Sequence, residues 1–496
     1  VSGKAENMKL TLTLSFVVIM LCAAAGAQSQ WQRVTNPPPD NVGAVLLLTD
    51  GTVVAHQETD TIESLATGTW YKLTPDINGS YVNGTWTQIA SLPANYCPLY
   101  FASAVLPDGC MIVEGGEDNT CGIYDLGFIY DPVVDEWTPV PPPTGWGYIP
   151  DVPSAILNNG TLMISNHGTD FALLDISNLT WTPTGTGKFD PSVEEGWTLL
   201  PGGKVLTVDT YSGQNDPTGM NSEIYDPVTG AWMSAGSTGV QLWDSDCGGV
   251  GATHEVGPAM VRPDGTVFAT GANGCGAGHT SVYDVSAGTW APGPDFPGNF
   301  NVADGPAALE ANGKVLMIAS PGIFLPPPAF FEWDGSHLNQ IPGPFNPVSF
   351  NTSYKGHLLV LPTGQILYTY FSKDVEVFTP TGSNYNWAPS AIFTSNVFSR
   401  GSSFVLFGNK LNGLSQAVAY GDDYQAATNY PIVRITNLAT GHVFYCRTHD
   451  HSTMAIGDPG VAYTHVNIPS NMETGASYLE VVTNGIPSPQ YNITIH

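Results

Sequence analysis

Along most of the chain, apolar runs of four to six residues alternate with short polar turns, a period of strands rather than helices. One unit recurs. An apolar strand leads to a turn ending in Gly, then to a second apolar strand, a loop, a strand closing on Asp, and a strand with Trp. "AVLPDGCMIVEGG" leads to "FIYDPVVDEW", "LLPGGKVLTVD" to "EIYDPVTGAW", and "AMVRPDGTVFATG" to "SVYDVSAGTW". The turn glycines are Gly51, Gly109, Gly160, Gly203, Gly265, Gly313 and Gly364, spaced by 58, 51, 43, 62, 48 and 51 residues. Seven units of about 50 residues with four short strands each predict an all-β, seven-bladed propeller.

The seventh unit has a third strand, "VEVFTP", but no fourth. "QWQRV" at residues 30–34 matches the outer-strand pattern of "TWTQI" and "EWTPV". The N-terminal strand is therefore expected to complete the last blade, closing the ring and covering a free edge. From Trp387 onward the blade turn disappears. "SSFVLFG", "PIVRITN", "HVFYCRT", "AYTHVNIP" and "SYLEVVTNG" alternate instead as in an immunoglobulin-like sandwich. The expected division is a leader at 1–27, a propeller at 28–386 and a sandwich at 387–496.

The leader reads from Met8 as "MKLTLTLSFVVIMLCAAAGAQSQ", the pattern of a secretory signal with cleavage after Ala27. The seven residues before Met8 read as upstream translated sequence. No later apolar run approaches the roughly 20 residues of a membrane span. An exported protein, extracellular or of the cell envelope, is expected. With 43 acidic against 14 basic residues the formal charge is −29, which argues against nucleic acid and anionic lipid as partners. The six cysteines that remain after cleavage allow 15 connectivities. Cys97 and Cys121 fall in the entry loop and the second-to-third-strand loop of the second unit, and Cys247 and Cys275 in the same two loops of the fifth. That repetition points to disulfides Cys97–Cys121 and Cys247–Cys275, with Cys110 and Cys446 unassigned.

The Gly-turn, Tyr-Asp and Trp pattern resembles the kelch repeat. Seven such units with a signal peptide and a C-terminal Ig-like domain resemble the galactose oxidase and glyoxal oxidase family. That resemblance implies a copper ion held by a Tyr-His pair before the seventh inner strand, by a Tyr cross-linked to Cys, and by a His of the C-terminal domain. It also implies oxidation of alcohol or aldehyde with release of peroxide. In "SYKGHLLVLPTG", Tyr354 falls on the axial tyrosine, Lys355 where the ligand histidine belongs, and His357 two positions on. An ammonium offers donors and no acceptor, so Lys355 is no copper ligand unless deprotonated. "YCP" with Cys97 and "GYIPDVPSA" with Tyr148 resemble the cross-link motifs, and a paired Cys97 excludes that bond. Where the family has a tryptophan over the cross-link, this chain reads "ISNHG" with His167. "CRTHDHSTM" offers His449, Asp450 and His451 as the C-terminal metal ligands, since His-x-His on a strand turns both rings to one face.

His254 and Glu255 in "THEVGP", Asp304 in "ADGP" and the pair Glu194-Glu195 also precede inner strands. They would gather acid at the axial mouth, as a Ca²⁺ site or a glycosidic acid/base pair requires; a polar mouth on an acidic surface is the plain reading. Three function classes follow: a secreted module binding an extracellular glycan or protein without an intact copper centre, a copper-radical oxidase with an altered ligand set, and a structural envelope protein. The lysine at 355 favours the first.

Overall fold

The structure is a computed structural model, and it describes residues 30–59, 65–117, 121, 125–211, 218–244, 252–345 and 352–496. The leader and Cys247 lie outside the described residues.

Seven antiparallel blades form the ring, six of four strands and the sixth extended to six by Phe300–Asn301 and Val418–Ala419. Their inner strands begin at Val42–Leu47, Ala102–Val105, Ser154–Ile156, Thr198–Leu199, Val256–Val261, Ala307–Leu309 and His357–Val360. The inner strands are almost wholly apolar and buried, because both faces of each pack on a neighbouring blade. All seven turn glycines hold φ between +77° and +90°, a conformation that costs any residue with a Cβ. The third-strand aspartates cap the next turn. Asp131 accepts from the amide of Val133, Asp226 from Val228 and Asp284 from Ser286.

Outer-strand tryptophans latch the first three blades each to the one before it. Trp86 Nε1 donates to Asn36 O, Trp137 to Ala90 O and Trp181 to Pro141 O, at 2.6 to 3.0 Å. The seventh blade is completed by Trp31–Arg33, antiparallel to Glu376–Phe378 with Trp31 opposite Phe378. Trp31 Nε1 donates to Pro342 O at the end of the sixth blade, the same latch made by a residue from the other end of the chain.

C-terminal to the ring, strand Val443–His449 joins two sheets. It pairs with Ile432–Asn437 through its first half and with Val461–Asn467 through its last three residues. Leu406, Val433, Ile435, Cys446, Val466 and Val481 fill the space between these sheets as a sandwich core. Cys110 and Cys446 are both buried and both free.

Residues 410–431, between two sandwich strands, leave the sandwich and run along the propeller axis. Val418–Ala419 pairs with the sixth inner strand, the amide of Leu309 donating to Ala417 O. Leu199 N donates to Gln416 Oε1, Ser103 Oγ to Gln425 O, and Tyr424 N to Phe101 O. The central channel is thus filled by protein, and the segment carries its polar residues to the end of the ring where the inner strands begin.

Candidate functional site

At that end of the axis lies a cavity of about 240 Å³ lined by Tyr100, Glu117, Asp151, Glu194, Glu255, Asp304, Phe324, Tyr354, Asp422 and Asp423. Seven of the ten are carboxylates. No lysine or arginine is among the lining residues.

Glu117 comes from the loop after the second strand of the second blade, and Asp151, Glu194, Glu255 and Asp304 come from loops that enter an inner strand. The backbone there is strained: φ is +54° at Glu194, +61° at Asp304, +67° at His254 and +49° at Tyr100. Non-glycine residues in this region cost about 1–3 kcal/mol each and persist where surrounding structure enforces them. Asp422 and Asp423 arrive from the axial segment and are almost fully buried, at 3% and 1% exposure. Asp422 Oδ2 and Asp423 Oδ1 have no hydrogen-bond partner.

Two overlapping triads, Glu194–Glu255–Asp422 and Asp304–Asp422–Asp423, each bring three carboxylate oxygens within 4.8 Å of one another. Two ionised carboxylates at such a distance repel by a few kcal/mol at an effective dielectric constant of about 20. Burial first and the neighbouring acids second raise Asp151, Glu255, Asp304, Asp422 and Asp423 well above the usual carboxylate range. The same causes push Glu194 up to about 7. His167 Nε2 lies 3.7 Å from Glu194 at the rim, and burial lowers its pKa against the pull of Asp422 and Glu117. Such an arrangement is a store of oxygen donors that lacks a cation of its own.

The residues singled out in the sequence divide clearly. Glu255, Asp304 and Tyr354 line the cavity together. Lys355 holds its Nζ 5.6 Å from the Tyr354 ring centre. His254 packs between Tyr211 and Trp243, with Nδ1 2.9 Å from Thr210 O, behind the lining. His357 is buried beneath the mouth, stacked on Tyr420, with Nε2 4.0 Å from Glu58 Oε2 and no hydrogen bond; burial pushes it down to about 4. Glu195 turns away from the cavity to a buried lysine.

Two expectations are corrected. The Cys97–Tyr148 link implied by the resemblance is not formed: Cys97 is bonded to Cys121, with Cα atoms 5.5 Å apart, and Tyr148 is 45% exposed. His449 and His451 do not share a face. The strand ends at His449, Asp450 takes φ +50°, and His451 is carried inward to stack on Tyr430. Both lie where the sandwich meets the blade turns, His451 N donating to Pro107 O, at the end of the ring opposite the cavity. Cys275 is disulfide-bonded, and its expected partner Cys247 is outside the described residues.

Asp151, Glu117, Asp422 and Asp423 were not anticipated. For Asp151 a signal existed: "DVPSA" repeats the acid-before-proline arrangement of "EVGPA" and "DGPAA". For "YGDDY" the only signal is two adjacent acids in a stretch otherwise too apolar for a surface loop.

Residues 98–144 match the Kelch motif. No curated protein matches the chain. Among solved structures the chain is similar to a fungal alcohol oxidase of the AA5 family in complex with copper, at 14% identity and a TM-score of 0.49, covering 94% of this chain and 98% of that one. It is also similar to YjhT, at 12% identity and a TM-score of 0.35, covering 68% and 94%. These are likenesses at low identity and carry no statement about activity.

Proposed function

We propose that this is an exported binding module whose axial mouth holds a hard divalent cation, Ca²⁺ first among them, and presents it to an extracellular glycan or protein ligand. The observation that carries the reading is the convergence of carboxylates on one cavity without a lysine or arginine in its lining, with Asp422 Oδ2 and Asp423 Oδ1 unpartnered inside it. Ca²⁺ takes six to eight oxygens at about 2.3–2.6 Å in flexible geometry, and carboxylates, phenols and backbone carbonyls are what this mouth contains. The cavity exceeds one ion, which leaves room for ligand hydroxyl or carboxylate oxygens to complete the shell.

Tyr354 in the mouth is the one feature that favours the copper-oxidase alternative. The remaining donors fit it poorly, since copper sites draw on imidazole and His167 at the rim brings one imidazole against seven carboxylates. Lys355 stands beside that tyrosine, His357 faces Glu58, and Cys97 is committed to Cys121. Nothing among the described residues favours the structural envelope reading.

The test is titration calorimetry of the mature protein, stripped with EDTA, against Ca²⁺, followed by glycan-array binding with and without Ca²⁺. One Ca²⁺ per chain, lost in Asp422→Asn/Asp423→Asn, is the expected result. Absence of Ca²⁺ binding, together with one tightly held copper and peroxide release from sugars or aldehydes, would overturn it.

A further inference from the structure

A second cluster of donors lies at the other end of the molecule, independent of the axial mouth. His449 ends strand Val443–His449 and sits directly opposite His465 on Val461–Asn467. The two rings stack at 5.5 Å and 20°. The turn at Asp450 brings its carboxylate over both: Oδ2 lies 2.8 Å from His449 Nδ1 and 3.8 Å from His465 Nδ1. One ligand atom from each residue can be chosen so that all lie within 4.8 Å of one another.

We propose that His449, Asp450 and His465 form a site for a borderline divalent transition-metal ion, with Zn²⁺, Cu²⁺ and Ni²⁺ as the class. The donors are two imidazoles and one carboxylate, a set that suits these ions and not Ca²⁺, which takes six to eight oxygens where this site offers at most two. Tetrahedral zinc with ligand bonds of about 2.0–2.1 Å separates its ligand atoms by about 3.3 Å. The observed 2.8 and 3.8 Å bracket that value, so small side-chain rotations close the site. His465 Nδ1 is screened from solvent and has no hydrogen-bond partner, a nitrogen aimed at the carboxylate but too far from it to bond. The carboxyl side chain of Asp450 is 57% exposed, which leaves the fourth position open to water or to a donor from another molecule. His451 takes no part, because its Nδ1 is engaged with Thr464 Oγ1 in the interior.

The site also bears on any copper assay. Copper bound here would register as metal per chain without producing peroxide.

The experiment is native mass spectrometry and calorimetry of the full mature chain with Zn²⁺ in Ca²⁺-saturated buffer, alongside His465→Gln, Asp450→Asn and Asp423→Asn. The wild type should take one Zn²⁺ at micromolar concentration. Affinity should fall at least tenfold in His465→Gln and Asp450→Asn and stay unchanged in Asp423→Asn. Co²⁺ should give the intense visible absorption of a tetrahedral site, absent in His465→Gln. Circular dichroism checks that all three variants fold. No Zn²⁺ uptake at 100-fold higher concentration would overturn the proposal, as would equal affinity in wild type and His465→Gln. Loss in Asp423→Asn alone would move the zinc to the mouth and also overturn it.

Discussion

Two acidic clusters, the axial mouth and a cage in the fourth blade, meet at one pair of adjacent residues. Glu194 faces the axial cavity, while Glu195 faces Lys188. The ammonium of Lys188 is caged by four carboxylates: Asp190 at 2.7 Å, Glu195 at 2.7 Å, Asp209 at 3.2 Å and Glu223 at 2.6 Å, with the lysine side chain fully buried. Burial pushes the Lys188 pKa down, but the four acids outweigh it and hold it well above the ordinary lysine value. The cage therefore carries its own cation and is closed. The mouth gathers more carboxylates, opens to solvent and has no such lysine. The same acid-rich composition thus does two jobs: where the chain supplies the counter-charge, acids organise a core, and where it does not, they wait for an ion from outside.

The largest effect should come from emptying the cage. Lys188→Met leaves buried carboxylates without their partner and should cost about 3–5 kcal/mol in urea unfolding. A loss below about 1 kcal/mol would mean that the ammonium does not organise the cage. Ca²⁺ should act on the mouth alone. At 100 times its Kd it should stabilise the wild type by about 2.7 kcal/mol. Asp422→Asn/Asp423→Asn should abolish that gain while leaving the ion-free protein at least as stable, because like charges are removed. Equal Ca²⁺ stabilisation in the double variant would erase the distinction between the clusters.

The pH dependence should expose the cage. Burial first, against the pull of Lys188, leaves Asp190 at about 6 and Glu223 at about 7. Both values are raised, so the native state holds protons that the unfolded chain releases at about pH 4. Their stabilisation is complete below the unfolded values and is lost as pH rises through about 6 to 7. The urea midpoint in saturating Ca²⁺ should therefore fall between pH 4.5 and 7.5, and Glu223→Gln should flatten the slope. An unchanged slope places the titration elsewhere. The smallest effect is expected from Glu195→Gln. Burial raises Glu195 well above its usual range against the pull of Lys188, and an amide still offers the ammonium an oxygen while three carboxylates remain, so the substitution should cost no more than about 1 kcal/mol and leave Ca²⁺ affinity unchanged. Its neighbour Glu194→Gln should weaken Ca²⁺ binding without that loss.

Much of the scaffold was legible because it is written locally. A strand period of two, a glycine at each inner turn, an aspartate capping the next turn and a tryptophan latching the blade before it are all decided within one unit of about 50 residues. Repetition extended that reading to the closing strand at Trp31 and to the Cys97–Cys121 pairing, because equivalent loops of a propeller emerge on the same face. Glu194, Glu255, Asp304 and Tyr354 were legible for the same reason, each preceding an inner strand.

Asp422 and Asp423 were not legible, because their position depends on a segment that leaves the sandwich and threads the ring, over 200 residues in sequence from Glu194. No local preference encodes that path; it follows from the need to fill the channel between seven inner strands. His449 looked paired with His451 by strand alternation, but a left-handed Asp450 ended the strand and His465 took the place beside it. The sequence by itself determined the repeating unit, its closure and which loops point to the axis, since these rest on backbone preference and burial within each blade. Only the tertiary structure decided which charges meet, because whether a carboxylate finds an ammonium, a metal or another carboxylate depends on what the folded chain brings against it.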